Sequence, residues 1–357
     1  MKQSAKNYKR IVVKIGSSLF CSQKECLDFT FLNQTINQLS DLARSGKEVL
    51  VVSSGAIALG MRILNLKSRP KGLSDLQAAA SVGQNALMDA YSRIFNANKV
   101  NCGQVLLTRD DFSDRKRYLN AKNTLNKLLE LGCVPVINEN DAISTDEIKF
   151  GDNDQLSALV ATLMDADLLI MLSDVDGLWD KDKKVIKIIA EISSSVKSLA
   201  SSTDKKTSVG GMITKLEAAK ISIDSGIPAV IANGRTNGLI KEIANDPASA
   251  GNWTLFLPKT GSLAAKERWI AFGTKPKGKI VVDDGAKRAL KNKKSLLPVG
   301  VIDTHGNFAS GEVVSIVDKD GNEFARGMAS VFCRHLEEIK GKHSEKEVIH
   351  CDNLVIL

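Results

Sequence analysis

Proline is scarce, with 7 in 357 residues, which excludes long Pro-rich linkers. Aromatic residues make up only 5%, too few for base-stacking platforms along the chain. The six cysteines (Cys21, Cys26, Cys102, Cys133, Cys333 and Cys351) form no CxxC pair, and the four histidines are scattered, so zinc spacing is absent. Free thiols in a reducing, cytoplasmic setting are expected, with Cys133 as a core filler. No stretch of 18 apolar residues occurs. The best candidate, Leu156 to Leu172, carries Asp165 and Asp167, so no membrane span is expected. The basic start, Met1 to Arg10, leads into an apolar run cut by Lys14 and does not read as a secretory leader. The Walker pattern GxxxxGK[ST] is also missing.

Charge of one sign is not concentrated either. The formal net charge is +8, yet residues 261–357 hold 16 basic and 13 acidic side chains, so no basic tail exists. A mildly basic globular protein is favoured over a polynucleotide binder on charge alone. One local run, Lys275 to Lys294, sets eight basic residues against Asp283 and Asp284.

What is present is an alternation of strand-like and helix-like segments up to residue 257. Short apolar runs recur at Arg10–Ile15, Glu48–Ser53, Gly103–Leu107, Cys133–Asn138, Leu168–Ser173, Ile227–Ala232 and Thr254–Leu257. Helical apolar spacing lies between them at Phe31–Ala43, Leu76–Phe95 and Asn120–Leu131. The runs are apolar throughout, as strands buried on both faces are. A three-layer α/β/α sandwich with parallel strands is predicted for residues 1–260. Residues 258–277 read as an irregular connector. From residue 277 to 357, short strand-like segments (Lys279–Val282, Gly300–Asp303, Glu312–Val317 and Glu323–Val331) alternate with turn signals. Those signals, Asp284-Gly285, His305-Gly306 and Asp320-Gly321, predict a small β-rich second domain.

Open parallel sheets bind ligands at the carboxyl ends of their strands. Here those ends read Lys14-Ile15-Gly16-Ser17, Ser53-Ser54-Gly55-Ala56, Asn138-Glu139-Asn140-Asp141 and Ser173-Asp174-Val175-Asp176. Gly16, Gly55 and the Gly210-Gly211 pair fit turns that feed helix N-termini and let backbone N–H groups approach an anion; each also fits plain turn geometry. Lys14 interrupts an apolar strand, so it either ends the strand by snorkelling or meets an anion. Lys215 stands near a helix start, where cations are disfavoured; simple exposure is the alternative. Asp152, Asn153 and Asp154 precede an apolar helix. They serve either as caps or, with Asn138 and Asp141, as a polar pocket for an amino acid.

Taken together, the strings Val13-Lys14-Ile15-Gly16-Ser17, Ser53-Ser54-Gly55-Ala56, Asn138-Glu139-Asn140-Asp141, Gly151-Asp152-Asn153-Asp154, Ser173-Asp174-Val175-Asp176-Gly177 and Gly210-Gly211-Met212 resemble the amino acid kinase family end to end. The likeness is greatest to its glutamate-phosphorylating branch, which carries a C-terminal PUA domain. The resemblance implies ATP-dependent phosphorylation of the side-chain carboxylate of L-glutamate to glutamyl 5-phosphate, the first step of proline biosynthesis, with Mg²⁺ on the phosphates. It places catalytic roles on Lys14 and Lys215, with Asp154 orienting both. It places glutamate on Ser54, Gly55, Asn138, Asp141, Asp152 and Asn153. ATP falls on Lys14, Gly16, Ser173, Asp174 and the segment Val209, Gly210, Gly211, Met212, Ile213, Thr214 and Lys215. It further implies a homo-oligomer, proline as feedback inhibitor, glutamyl phosphate reductase as a partner and RNA as a candidate ligand of the PUA domain. In one loop the chain departs from the family: it reads Ser208-Val209-Gly210-Gly211-Met212 where members commonly have Gly-Thr-Gly-Gly-Met or Gly-Ser-Gly-Gly-Met. Kinases of acetylglutamate, aspartate, carbamate or uridylate are the nearest alternatives, and an RNA-binding protein is the alternative of another class.

Overall fold

The computed structural model describes residues 8–20, 27–144, 152–201, 211–259, 263–344 and 346–357. The chain divides into two compact units: Met1–Asp111 with Lys116–Ser262, and Phe112–Arg115 with Leu263–Leu357.

The first unit runs β1 (Arg10–Ile15), α1 (Phe29–Arg44), β2 (Glu48–Ser53), α2 (Ala56–Ile63), α3 (Leu73–Ala97) and β3 (Asn101–Leu107). It continues through α4 (Arg109–Ser113) and α5 (Arg115–Glu130), except for Phe112–Arg115, and then β4 (Cys133–Glu139), α6 (Asp152–Leu163) and β5 (Leu168–Ser173). The two-residue β6 (Ile188–Ile189), α7 (Ser194–Ser201), α8 (Gly211–Asp224), β7 (Ala229–Asn233), α9 (Leu239–Asn245) and β8 (Trp253–Phe256) complete it. The sheet order is β3-β4-β2-β1-β5-β7-β8-β6.

Strand alternation explains the layers. Ile11, Val13 and Ile15 of β1 join a buried cluster with Leu32, Ile36 and Leu39 of α1 and Leu87 and Tyr91 of α3. Val12 and Lys14 therefore face the other side of the sheet, and α6 packs on β1. The chain grows outward from β1 through β2 and β4, then returns to β5 on the opposite flank. The strand order reverses at β1, which is where open α/β sheets leave a crevice.

The last strand departs from the expected parallel arrangement, because β8 pairs antiparallel with β7.

The second unit contains α10 (Ala265–Arg268), a π turn at Trp269–Gly273, β9 (Gly278–Val282), α11 (Asp284–Lys291), β10 (Val301–Gly306), β11 (Val313–Val317), β12 (Glu323–Met328), α12 (Cys333–Ile339) and β13 (Leu354–Ile356). Its sheet order is β10-β9-β11-β12-β13, around a core that includes Ile280, Leu290, Val314, Ile316 and Leu336. Two expectations fail here. Asp284-Gly285 is no turn: Asp283 Oδ1 accepts from Ala286 N at 2.6 Å and starts α11, because an Asp at the N-cap satisfies an otherwise unpaired helix N–H. The irregular connector is partly helical. Trp269 is buried, and its indole N–H donates to the Phe112 carbonyl at 2.9 Å.

Candidate active site

The crevice at β1 is organised around one carboxylate. Asp154 lies in the first turn of α6, where the chain passes behind Lys14. Lys14 Nζ stands 2.6 Å from Asp154 Oδ1, and Lys215 Nζ, from the second turn of α8, is 3.2 Å from Oδ2. Thr214 Oγ1 donates to the same Oδ2 at 2.7 Å. Lys14 and Asp154 are 4% and 1% exposed, which rules out snorkelling into water for Lys14. Lys215 is mostly buried as well, so simple exposure fails for it too. α6 and α8 pack directly on each other, which brings the two lysines to one point from separate elements.

The centre sets two lysines against the Asp154 carboxylate, with the Asp174 carboxylate also acting on Lys14. Burial is the largest influence on Lys14 and pushes its pKa down; Asp154 pulls it back up and Lys215 repels it. Burial opposes the charge of Asp154, yet the two ammonium groups and the hydrogen bonds from Lys14 and Thr214 outweigh it and hold the carboxyl below its usual range. Buried charge of this kind is costly to desolvate and is weak evidence for stability.

Gly16 and Gly55 answer different needs. Gly55 sits at φ 96° ahead of α2, a left-handed conformation that favours glycine. Gly16 is extended at φ −70° and leads into a single 3₁₀ turn at Ser17–Leu19, so it feeds no long helix. What it needs is room: a Cβ there would lie 3.1 Å from the Leu172 carbonyl and 3.7 Å from Lys14 Nζ. Ser173 is buried at the end of β5, and its hydroxyl donates to Asp174 Oδ1 at 3.1 Å; Asp174 itself is exposed. Gly211 opens α8, with Met212 half-buried and Ile213 exposed. Val209 and Gly210, and with them the departing loop, lie outside the described residues, as does the side chain of Asp152.

Beside the lysines, four polar side chains form a chain. Asn153 Nδ2 donates to Ser54 Oγ at 3.2 Å and to Asn138 Oδ1 at 3.0 Å. Glu139 N donates to the same Asn138 oxygen at 2.9 Å. Asn138 Nδ2 donates to Gln84 Oε1 at 2.7 Å. Gln84 escaped the sequence reading because it lies in α3, far from any strand end. Asp141 is half-buried in the turn after β4. Its charge pulls up the pKa of Arg69, which burial lowers more strongly. Nothing in the sequence singled out Arg69.

Among the described residues one group of three potential metal ligands occurs, His350, Cys351 and Asp352 in the second unit. There His350 Nδ1 already accepts from Asp352 N at 3.1 Å. Asp154 is engaged by cations at both oxygens. The residues present therefore fit a Mg²⁺ carried on nucleotide phosphates better than one caged by protein. No described helix is long and apolar enough to cross a membrane.

Comparison with known proteins places the whole chain among relatives. The model of the amino acid kinase family matches residues 9–233, and that of the PUA domain matches residues 278–351. The chain is 44% identical to a glutamate 5-kinase of Caldanaerobacter subterraneus over 98% of both chains. It is 42% identical to a glutamate 5-kinase of Pelagibacter ubique over 98% of this chain and 99% of that one. It is 43% identical to a glutamate 5-kinase of Nitrosospira multiformis over the full length of both.

Proposed function

The chain belongs to the amino acid kinase family, within its glutamate 5-kinases, and we infer that the Lys14–Asp154–Lys215 centre is where it transfers phosphate. The reaction is ATP-dependent phosphorylation of the side-chain carboxylate of L-glutamate, which begins proline biosynthesis. A carboxylate oxygen attacks the γ-phosphorus, the bond from that phosphorus to the β-bridging oxygen breaks, and ADP departs. The nucleophile has a reference pKa of about 4.3 and is already ionised at neutral pH, so no general base is needed. What remains is to bring two anions together, and phosphoryl transfer is catalysed chiefly by positioning and charge neutralisation.

The observation that carries the assignment is the pair of buried lysines sharing one carboxylate. Lys14 and Lys215 neutralise the transferring group, and Asp154, seconded by Thr214, fixes the spacing between them. Mg²⁺ on the phosphates supplies further charge neutralisation. Ser54, Gly55, Asn138, Asp141, Asp152 and Asn153 hold glutamate. Gly16, Ser173, Asp174 and the segment from Val209 to Lys215 hold ATP. Proline as feedback inhibitor, a homo-oligomer, glutamyl phosphate reductase as recipient of the product and a cytoplasmic location complete the proposal. RNA is carried as a partner of the second unit, on the exposed Lys275, Lys277, Lys279, Lys291, Lys293 and Lys294. Salt-sensitive retention on RNA tests that part.

The deciding experiment is trapping of the acyl phosphate with hydroxylamine across glutamate, aspartate, acetylglutamate and carbamate. Product with glutamate and ATP alone is expected. Equal turnover of acetylglutamate, which lacks the ammonium, overturns the substrate assignment.

A further inference from the structure

The polarity of the amide chain is fixed from one end. A backbone N–H can only donate, so the Asn138 side-chain atom that receives Glu139 N is its oxygen. Asn138 Nδ2 must then donate, and the atom it meets on Gln84 must be Oε1. By the same logic the Asn153 atom facing Asn138 is its nitrogen. Two ends are left over. Gln84 Nε2, a donor, and Asn153 Oδ1, an acceptor, are both buried without a hydrogen-bond partner among the described residues. Unmet buried polar atoms cost free energy, and each calls for an explanation. Both groups belong to side chains bonded to the single Asn138 amide, and that shared neighbour is the ground for assigning them to one small ligand. That ligand must accept at one end and donate at the other, as the α-carboxylate and α-ammonium of an amino acid do.

The placement of Gln84 is built into the backbone. A Cβ on Gly60 of α2 would lie 1.7 Å from the Ala79 carbonyl, and one on Gly83 of α3 would lie 1.8 Å from the Ala56 carbonyl. The two helices cross at backbone contact through these glycines, and Gln84 follows Gly83 directly. It is thereby held beside the turn that carries Ser54 and Gly55.

We propose that Gln84 binds substrate, its Nε2 donating to the α-carboxylate of glutamate while Asn153 Oδ1 accepts from the α-ammonium. This rests on the glutamate kinase reading above. The test uses the full-length enzyme with Gln84→Glu, which keeps an oxygen for Asn138 Nδ2 but sets a carboxylate where the donor was, and Gln84→Leu, which removes the donor without adding charge. A hydrogen bond to a charged group corresponds to about 10- to 100-fold in affinity. The glutamate KM should rise by that order in Gln84→Leu and further in Gln84→Glu, while the ATP KM stays within about twofold. 4-Aminobutyrate, which lacks the α-carboxylate, serves as competitor; its inhibition constant should hardly move in either variant. An unchanged glutamate KM in a folded variant overturns the role. So does a parallel weakening of ATP, glutamate and 4-aminobutyrate, which indicates a structural residue. Wild-type protein inactive on glutamate overturns the underlying reaction instead, and the two failures are thereby separable.

Discussion

Both units carry ion pairs at their surfaces, and the first in addition buries a charged triad. In the first, Lys14, Asp154 and Lys215 are drawn into the protein. In the second, Lys340 bridges Asp303 at 2.8 Å and Lys319 meets Asp284 at 2.9 Å, and these side chains keep a large share of their surface in water. Exposed pairs contribute little to stability. A buried pair is costly to desolvate and is weak evidence for stability, so the buried triad is explained by what it binds. The contrast separates charge paired at the surface from charge paired in the interior.

The largest expected effect follows from removing either lysine. Loss of one preorganised charge contact costs ~10²–10³ in rate. Lys14→Ala and Lys215→Ala should lower kcat by that order while changing the glutamate KM far less. Near-normal steady-state turnover in either variant would remove the interior charge from the mechanism and collapse the contrast.

Asp154 comes next. Asp154→Ala leaves two buried ammonium groups uncompensated, and breaking a buried pair costs about 3–5 kcal/mol. Thermal denaturation should show a lowered Tm that inorganic phosphate partly restores, since an anion supplies the missing charge. The carboxyl is held below its reference value of 3.8. Its contribution is thus complete above about pH 4 and is lost as pH falls through the lowered native value. The wild type should lose more stability on acidification in that range than Asp154→Asn. Equal acid sensitivity counts against the triad as a stabilised unit.

A narrower effect is expected at the amino-acid end. Asn153→Ala and Asp141→Ala should raise the glutamate KM by about 10-fold or more, as loss of a hydrogen bond to a charged group does, and leave the ATP KM unchanged. Steady-state kinetics with each substrate varied in turn checks this. A matching rise in the ATP KM would place these side chains at the nucleotide instead.

The same contrast explains what the sequence revealed. Lys14 was legible because a cation inside Ile-Val-Val-Lys-Ile violates the burial pattern of its strand. By residue type alone Asp154 was a candidate cap or pocket member beside Asp152 and Asn153, because all three suit a helix start; only the family resemblance singled it out. The principal strands followed from apolar runs, whereas the direction of β8 did not. Gln84 was illegible. It is one polar residue on a long helix, and its place at the site depends on the glycine crossing of α2 and α3, which no periodicity encodes. Asp283-Asp284-Gly285 misled because the same residues serve turns and helix caps.

The smallest expected effect concerns the second unit. The three triad residues and the four members of the amide chain all precede residue 259. A chain ending at Lys259 should therefore fold and keep kcat and both KM values near those of the full chain. It should not keep them without cost. Phe112–Arg115 clusters with the second unit, where Trp269 donates to the Phe112 carbonyl and the Arg115 guanidinium stacks over the Trp269 ring at 5.4 Å. Removing Trp269 takes away both partners, so the shortened chain should show a modestly lower Tm and faster amide exchange around Phe112. The proposed response to proline and the proposed assembly are to be measured on the shortened chain too, because coupling between sites runs through differential contacts. Purification of the shortened chain and steady-state assay with glutamate, ATP and Mg²⁺ decides the matter. A soluble, folded but inactive product would mean that the second unit supplies part of the active site. The buried triad would then not be sufficient for chemistry without the second unit.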